Sequence, residues 1–456
     1  MSSPVSDEEF RSAPYLPISP WVEQPTDLQP SVETDTRSDV AVIGGGLTGL
    51  STALELRRRG IDVAVVEAEF AGFGASGRNA GHLTPTIGKD LPTLLKLFGK
   101  EKATRLIGFA ERGVERVERL ISELGIECDY RRSGNIMAAI HPEQEKRLRA
   151  ATEAAAAIGA HVRFLDRDAM RTRGVPPAFI AGAIEERGGT FHPGKYVMGL
   201  RRAALQAGVR LFEKTPVTAI EPGAKPRIRT ARGIVSADRV VLATNAYTPE
   251  LGLLRSRIVP MYDTMFESEP LSGQQLEALG WPGREGVYTA HESLESFRLS
   301  AQGTILGGSK CVRYSYGGRI KGASTPRAIW EQNRMFRERF PMLSDVRIQH
   351  FWGGWIAITL HFIPTVGALD KRRSVIYGMG YNGHGVAAAT AMGCVLADLV
   401  QGQKNEDGDT LSGFVPPLPP EPLRMIAVGL VSGFLDRRDH RIDRAVRAAL
   451  RADSPG

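Results

Sequence analysis

A glycine pattern early in the chain has the spacing that binds a dinucleotide. The pattern GxGxxG occupies 44–49, between an apolar run at 39–44 and a segment with helical periodicity at 47–59. Its first glycine allows a tight turn, its second lets the backbone approach a pyrophosphate, and its third lets the helix pack on the strand. The pyrophosphate then lies at the helix N-terminus. The residues predicted to bind it here are Gly44, Gly46, Leu47, Thr48 and Gly49.

A carboxylate follows where the cofactor's ribose is expected. The apolar run 61–67 is predicted to be a second strand that ends in Glu67, so that 39–67 forms a β-α-β unit. A carboxylate in this place accepts hydrogen bonds from both ribose hydroxyls of an adenosine and repels a 2′-phosphate. FAD and NAD share this fingerprint, so the unit alone predicts either of them.

The elements that must position these residues are predicted to form two interleaved domains. The apolar runs 239–244 and 374–377 are expected to join the sheet of the β-α-β unit. Segments 91–124, 142–159 and 386–400 have helical patterns, and 134–140, 258–267 and 297–307 are predicted to be strands. We therefore predict an α/β, Rossmann-like dinucleotide-binding domain interleaved with an α+β substrate domain built on an antiparallel sheet, with the ligand site in the cleft between them.

The length and composition of the chain indicate where the predicted domains begin and end. With 456 residues, 42% of them hydrophobic, the chain exceeds what one core usually serves. The predicted parts are an extended N-terminal arm at 1–36, a dinucleotide-binding domain at 37–90, 194–255 and 360–400, a substrate domain at 91–193 and 256–359, and a linker with a C-terminal helical tail at 401–456.

Several classes of protein do not fit the sequence. Three scattered cysteines suggest neither a disulfide framework nor a zinc site, and we predict no bound metal. The N-terminus lacks the apolar region of a secretory signal, and no apolar stretch approaches the roughly 20 residues of a membrane span. These features predict a cytoplasmic protein.

The net charge of +7 does not indicate a nucleic-acid partner. Its excess is concentrated in the tail, where arginines at 437, 438, 441, 444, 447 and 451 alternate with aspartates at 436, 439 and 443. No aromatic platform accompanies them. This pattern predicts a solvated helix face, dispensable for catalysis.

Four further stretches carry a resemblance to a known family. They are GASGRNAG at 74–81, ADRVVLATNA at 237–246, WGGWIAIT at 352–359 and GYNGHGV at 380–386. Their order and spacing resemble those of FAD-dependent amine oxidoreductases related to D-amino-acid oxidase, glycine oxidase and sarcosine oxidase. The greatest likeness is to the γ-glutamylputrescine oxidase branch, and it runs from about residue 20 to the tail.

The resemblance implies FAD as cofactor and assigns further residues to it. Those near the pyrophosphate and flavin would be Ala75, Ser76, Arg78, Asn79, Gly81 and Thr244, with Val217 offering its backbone to the adenine. The helix that opens near residue 385 would direct N–H groups at the flavin from Gly380, Asn382, Gly383, His384, Gly385 and Val386. Relatives that attach flavin covalently use a cysteine near 352–359 or a histidine near the position of Arg78, and neither residue type occupies those places here, which predicts non-covalent FAD.

The resemblance also implies the reaction. The flavin would take a hydride from a C–N bond of a small amine or amino acid, the imine would hydrolyse, and oxygen or another acceptor would reoxidise the flavin. His82, His361 and His384 are expected to touch substrate, as binding groups more than as bases. Tyr262, Phe266, Trp352, Trp355 and Tyr381 are either the apolar wall over the flavin or ordinary core aromatics. Lys310 is a candidate for oxygen activation.

Two alternatives stay open at this stage. An FAD-dependent 2-hydroxy-acid dehydrogenase on the same fold would use one of the three histidines as a base. A flavin-binding partner subunit without its own substrate would dock through the basic C-terminal helix. The sequence leaves the particular amine, the electron acceptor and the oligomeric state undecided.

Overall fold

A computed structural model describes residues 5–322 and 324–452. Its strands, numbered in chain order, are β1 (Thr36–Ile43), β2 (Val63–Val66), β3 (His82–Leu83), β4 (Asn135–Ala139), β5 (Val162–Leu165), β6 (Ala181–Glu185), β7 (Gly189–Thr190), β8 (Arg210–Phe212), β9 (Ala219–Glu221), β10 (Arg227–Arg229), β11 (Ile234–Leu242), β12 (Val259–Ser268), β13 (Gly286–Thr289), β14 (Glu295–Leu299), β15 (Ile305–Ser309), β16 (Arg313–Tyr314), β17 (Ile348–Ile358), β18 (Thr365–Ala368) and β19 (Val375–Met379). Its α-helices are α1 (Asp7–Ser12), α2 (Leu47–Arg58), α3 (Ala75–Arg78), α4 (Leu91–Glu123), α5 (Pro142–Ile158), α6 (Arg167–Thr172), α7 (Pro193–Gln206), α8 (Gly273–Leu279), α9 (Pro326–Arg339), α10 (Gly385–Val400), α11 (Glu406–Leu411) and α12 (Leu423–Ala452).

The first sheet is a largely parallel, doubly covered sheet. Its main order is β18-β19-β11-β1-β2-β8, with β19, β11, β1, β2 and β8 parallel to one another and β18 antiparallel at the edge. All four residues of β2 are buried valine or alanine, as expected of a strand covered on both faces. The hydrophobic core on one face includes residues of α2, α4, α7 and α10. The predicted Rossmann-like fold is confirmed.

The second sheet has nine strands and is mixed. Its order is β16-β12-β15-β14-β13-β4-β6-β5, with β17 also paired to β12. Neighbouring strands are antiparallel except β13 and β4, which run parallel. One face carries a phenylalanine-rich core against α9, and the other borders the main cavity. The interleaved α+β substrate domain is therefore present, and we propose the domain boundaries given above for the two sheets.

Three local predictions differ from the structure. The run 297–307 is a hairpin of β14 and β15 instead of one strand, because Gly303 turns the chain with a φ of +78°. The N-terminal arm is not wholly extended, since a capping box at Ser6 starts the short helix α1 and buries Phe10. The predicted linker contains the short helix α11. Parts of the arm and the tail, 1–4 and 453–456, lie outside the described residues.

The prediction of a solvated C-terminal helix is right for four arginines and wrong for two of the aspartates. Arginines 437, 438, 441 and 444 are exposed as expected, but Asp439 and Asp443 are buried. Asp439 accepts hydrogen bonds from the backbone N–H groups of Glu292 and Ser293, both at 2.9 Å. Ile442 packs with the core of the second sheet. One face of α12 is thus docked, because Asp439, Ile442 and Asp443 share a helical face.

Asp443 lies in a cluster of buried charges. Its carboxylate oxygens are 3.3 Å from Arg339 Nη2, 3.3 Å from Lys310 Nζ and 3.3 Å from His291 Nε2. Burial alone acts to raise the pKa of Asp443, but His291, Lys310 and Arg339 outweigh it, so that the pKa is well below its usual range. Glu295 belongs to the same cluster, and Lys310 and Arg339 balance the two carboxylates. We interpret the cluster as an ion-pair network that attaches α12.

Within the described ranges, the helices contain no stretch with the length and hydrophobicity of a membrane span.

Candidate active site

The glycine loop between β1 and α2 is built without side chains because the backbone fills the space. Gly44 has a φ of +106°, and a Cβ there would lie 2.8 Å from the carbonyl oxygen of Ala243. A Cβ on Gly49 would lie 1.9 Å from the Gly44 carbonyl oxygen, so glycine is required for the helix to approach the strand. A Cβ on Gly46 would lie 2.8 Å from Ser76 Oγ. The loop therefore has the close approach that a pyrophosphate needs.

Glu67 lies at the end of β2, against this loop. Its Oε2 accepts a hydrogen bond from the Gly45 N–H at 2.7 Å, and its Oε1 accepts one from the Glu69 N–H at 3.0 Å. Burial raises the pKa of the carboxyl, and the two N–H groups oppose that rise. Each carboxylate oxygen has a further lone pair, so the group is oriented and can still accept ribose hydroxyls.

A second helix N-terminus, that of α10, faces the same space. The preceding turn has positive φ at Gly380, Asn382 and Gly383, and the Asn382 side chain holds it by accepting from the Thr359 N–H at 2.9 Å. His384 occupies the N-cap position without a side-chain cap. The first N–H groups of α10 therefore lack a capping side chain, and the positive end of the helix dipole is available to an electron-rich group.

The two helices are fixed relative to each other. A Cβ on Gly393 of α10 would lie 2.5 Å from the Cβ of Ser51 in α2. Near their N-termini, Thr48 Oγ1 and Tyr381 Oη are 2.6 Å apart and hydrogen-bonded. Two helix N-termini are thereby directed into one cavity by close packing.

A single large cavity joins these features. It has a volume of about 990 Å³ and extends from Glu67 and Val217, past the glycine loop, to His82, His384 and the second sheet. This is the location in which interleaved domains usually bind ligands, and the volume suits a large cofactor with a small partner.

Comparison with known proteins identifies the family of the chain and the cofactor that this cavity binds. The sequence profile of the FAD-dependent oxidoreductase (DAO) family matches residues 39–399. The chain belongs to this family. The DAO chain is therefore an FAD-dependent enzyme, and the family resemblance seen in the sequence is confirmed.

Individual relatives agree with this assignment. The γ-glutamylputrescine oxidoreductase of Escherichia coli (strain K12) is 33% identical over 374 residues, covering 80% of this chain and 84% of its own. The probable oxidoreductase OrdL of Rhizobium meliloti is 32% identical over 406 residues, covering 86% and 90%. The crystal structure of glycine oxidase from Geobacillus kaustophilus superposes with a TM-score of 0.69 at 21% identity, covering 81% and 96%. That last likeness shows the shared fold.

The structure brings most of the predicted cofactor residues of this DAO chain to the cavity wall. They are Gly44, Gly46, Leu47, Thr48, Glu67, Ala75, Ser76, Arg78, Asn79, Val217, Thr244, Asn382, Gly383, His384, Gly385 and Val386. Gly49, Gly81 and Gly380 are not part of the wall. They shape the backbone behind it: a Cβ on Gly81 would lie 2.3 Å from the Phe191 carbonyl oxygen.

Arg78 is more constrained than its predicted role suggests. Its Nε donates to the Phe73 carbonyl at 2.7 Å, and its Nη1 donates to the carbonyls of Pro17 and Gly353 at 2.8 and 3.1 Å. The two Nη1 hydrogen bonds thus attach the N-terminal arm and β17 to the cavity wall. Ser76 Oγ, in contrast, accepts from the Leu47 N–H at 3.0 Å, at the place where α2 begins.

The predicted substrate-contacting residues divide into two groups. His82, His384, Trp355 and Tyr381 line the cavity, whereas His361, Tyr262, Phe266 and Trp352 do not. The hydroxyl of Tyr262 contacts that of Tyr15, and the Tyr262 ring packs edge-on against Trp355 with centroids 4.9 Å apart. Phe266 lies among Phe10, Phe336 and Phe351. For the three aromatic residues of this second group, ordinary core packing is the better interpretation, whereas His361 is half-buried and its Nδ1 lies 3.1 Å from Thr359 Oγ1.

His82 has a tautomer that its neighbour determines. Asn135 donates from Nδ2 to the carbonyls of Leu83 and Gly189 at 2.8 and 3.2 Å, so its Oδ1 faces His82 Nδ1 at 2.9 Å. An amide oxygen only accepts, so Nδ1 carries the proton and Nε2 presents a lone pair. Among the described residues, Nε2 is buried without a hydrogen-bond partner. Burial lowers the pKa of His82 to about 4, so the ring is neutral at pH 7.

Sequence reasoning missed several polar residues of the cavity. Glu185, Tyr288 and Asp263 line it, and Asn135 orients His82 behind it. Burial raises the pKa of Asp263 to about 6, although Ser309 Oγ donates to it at 2.7 Å. The missing information was strand register, which decides the face on which each of these side chains lies. Lys310 does line the cavity, but Asp443 and Glu295 hold it at 3.3 and 3.5 Å.

The FAD is predicted to be held without a covalent bond. No cysteine is present in 352–359, and an arginine occupies position 78 in place of a histidine; the free cysteines at 128, 311 and 394 are distant in sequence from both places. Acid precipitation of the yellow protein should therefore release the colour into the supernatant. A pellet that stays yellow after washing would show an attachment through another residue.

Proposed function

We propose that this enzyme oxidises a C–N bond of a small amine or amino acid to an imine, which water then hydrolyses. The observation that carries the proposal is the unpartnered, neutral Nε2 of His82 in the wall of an otherwise largely apolar cavity. The named activities of the relatives support it, since a γ-glutamylputrescine oxidoreductase and a glycine oxidase both act on amine nitrogen.

The residues of this chain that would hold FAD follow from the site. The glycine loop and the start of α2 suit the pyrophosphate, Glu67 suits the ribose, and the uncapped start of α10 suits the electron-rich edge of the flavin ring. Bound FAD supplies the hydride acceptor. The protein's own contribution is to orient the substrate and to set its protonation state.

The protonation state matters because hydride leaves carbon when the adjacent nitrogen has a free lone pair. An alkyl ammonium with a pKa of about 10.4 costs about 4 kcal/mol to hold neutral at pH 7.4. An apolar wall such as Trp355 and Tyr381 disfavours the charged form. His82 Nε2 can accept a hydrogen bond from the amine N–H, which places the nitrogen while its lone pair stays free for the imine.

The histidines of the cavity support the hydroxy-acid alternative less well. Removing a hydroxyl proton needs a base whose pKa is near the working pH. Burial lowers the pKa of His82 to about 4 and also lowers the pKa of His384. Neutral imidazoles of such low basicity suit amine binding better than alcohol deprotonation. The partner-subunit alternative is opposed by the extension of the cavity beyond the cofactor residues, to His82, Glu185 and Tyr288.

The test of the proposed function is a panel of compounds mixed anaerobically with the yellow protein. Primary and secondary amines, amino acids and 2-hydroxy acids of similar size are compared by the loss of flavin absorbance near 450 nm. We expect bleaching by members of the nitrogen series. Bleaching by hydroxy acids alone would show that the enzyme is a 2-hydroxy-acid dehydrogenase. Bleaching by none of the compounds would favour a partner subunit without its own substrate.

A pH profile should report the substrate's nitrogen. At subsaturating amine, the anaerobic rate of flavin reduction is expected to rise with pH toward a plateau near the amine pKa. His82, with a pKa of about 4, is neutral across pH 6 to 10 and adds no inflection there. His384→Asn should keep the profile and lower its height. A variant that lost both the rate and its pH dependence would identify His384 as the base.

A further inference from the structure

Glu185 and Tyr288 lie together on the cavity face of the second sheet. Glu185 ends β6 and is paired with Asn135 in β4, and Tyr288 of β13 is paired with Met137 on the other side of β4. Paired residues project to the same face of a sheet, and Asn135 and Met137 are two positions apart, so all four share one face. Met137, Glu185 and Tyr288 line the cavity.

The Glu185 carboxylate is buried and only half satisfied. It is 6% exposed, and its Oε1 accepts a hydrogen bond from the Tyr288 hydroxyl at 2.6 Å. Among the described residues, its Oε2 has no hydrogen-bond partner. Burial raises the pKa of Glu185 to about 7, and the Tyr288 hydrogen bond opposes that rise.

Two other buried carboxylates, those of Glu213 and Glu295, are neutralised by nearby cations. Glu213 has Arg201 at 2.8 Å, and Glu295 has Arg339 at 2.8 Å. No ion pair of this kind involves Glu185 among the described residues, and the residue lines the cavity while its Oε2 is buried without a partner. A buried carboxylate is costly without a counter-charge, and a group of this kind in a cavity points to a ligand that supplies one.

We propose that Glu185 and Tyr288 form a second substrate subsite, which binds a cationic group remote from the C–N bond that reacts. This inference rests on the proposed function and deepens it, because it makes short diamines and similar dications the preferred class of substrate. One nitrogen is oxidised beside His82, and the other stays charged against Glu185.

The distance between the two subsites fits a short chain. Asn135 contacts His82 through its side chain and is the direct strand partner of Glu185. Paired residues of antiparallel strands have Cα atoms about 4.5–5.5 Å apart, so the two subsites are separated by little more than one strand spacing. An alkyl chain of a few carbons spans such a gap.

The test compares three compounds of one length: cadaverine, n-pentylamine and 5-amino-1-pentanol. Their apparent second-order constants for anaerobic flavin reduction are measured in the wild-type holoenzyme. A hydrogen bond to a charged group contributes about 1.5–3 kcal/mol, which corresponds to roughly 10- to 150-fold. We expect cadaverine to exceed the other two by at least about tenfold, and Glu185→Gln to remove most of that preference.

Glu186→Gln is the matched control. Glu186 is the next residue in the chain, is exposed and pairs with Arg163 at 3.0 Å. The same chemical change there should leave the cadaverine preference intact. Tyr288→Phe, which removes the donor to Oε1, should reduce the preference partly and gives a second test if Glu185→Gln does not fold.

Each contrary outcome has its own meaning. Equal constants for cadaverine and pentylamine in the wild type would overturn the subsite, as would equal losses for both amines in Glu185→Gln. Equal constants for cadaverine and the amino alcohol would show that a hydrogen bond, and no charge, is recognised. If pentylamine also fails to reduce the flavin while a hydroxy acid succeeds, the proposed function itself fails.

Discussion

Gly49→Ala is expected to abolish the retention of FAD during purification. The added methyl group would lie 1.9 Å from the Gly44 carbonyl oxygen, a backbone atom of the loop that approaches the pyrophosphate. Since that atom cannot rotate away, either α2 or the loop must move, and the helix N-terminus then no longer meets the phosphates. The ratio of absorbance at 450 nm to that at 280 nm measures the loading.

Gly223→Ala is the control for this substitution. Gly223 lies between β9 and β10, and a Cβ there would meet no atom within 4 Å. The Gly223→Ala variant should purify with a full complement of flavin and with an unchanged circular dichroism spectrum. Wild-type flavin content in a folded Gly49→Ala protein would mean that the pyrophosphate is held elsewhere.

Asp443→Asn is expected to lower the free energy of unfolding by about 3–5 kcal/mol, because it removes one partner of a buried ion-pair network. Arg339, Lys310 and His291 each lie 3.3 Å from a carboxylate oxygen of Asp443, and all three would lose its negative charge. Because the folded-state pKa is lowered, this stabilisation is complete above the unfolded pKa of about 3.9 and is lost as the pH falls further. Denaturant unfolding at neutral and acidic pH measures both effects.

Asp436→Asn is the matched control on the same helix. Asp436 pairs with Arg327 at 3.9 Å, and the side chains are 36% and 67% exposed. An exposed pair of this kind contributes about 0–1 kcal/mol, so little change is expected. If both variants lost equal stability, the buried network would not be what attaches α12.

Local patterns predicted the cofactor half of the molecule well. The β-α-β unit, Glu67 at its end and the glycine turn before α10 are all adjacent in sequence to the residues they serve. Turn geometry and helix starts depend on residues that are close in sequence. The glycines, the carboxylate and the helical periodicity were therefore enough to predict this part of the structure. The fold class could be predicted because these local units follow one another in the order that is typical of a dinucleotide-binding domain.

The substrate half depends on contacts between distant segments, which the sequence does not display. Asn135 orients His82 from 53 positions away, and Tyr288 meets Glu185 from 103 positions away. Strand alternation decides which aromatic residues face the cavity and which face the core. The sequence did not show where each strand begins, so the two groups could not be told apart. In the tail, the spacing of Asp439, Ile442 and Asp443 did carry a signal, but the surrounding arginines obscured it.

The central claim is most directly tested by an anaerobic single turnover with the amine that bleaches the flavin fastest. Reduced flavin, the carbonyl product and the released ammonia or amine are quantified together. Oxidation of a C–N bond followed by imine hydrolysis predicts one carbonyl product and one released nitrogen compound for each flavin reduced. Flavin reduction without release of nitrogen would contradict it.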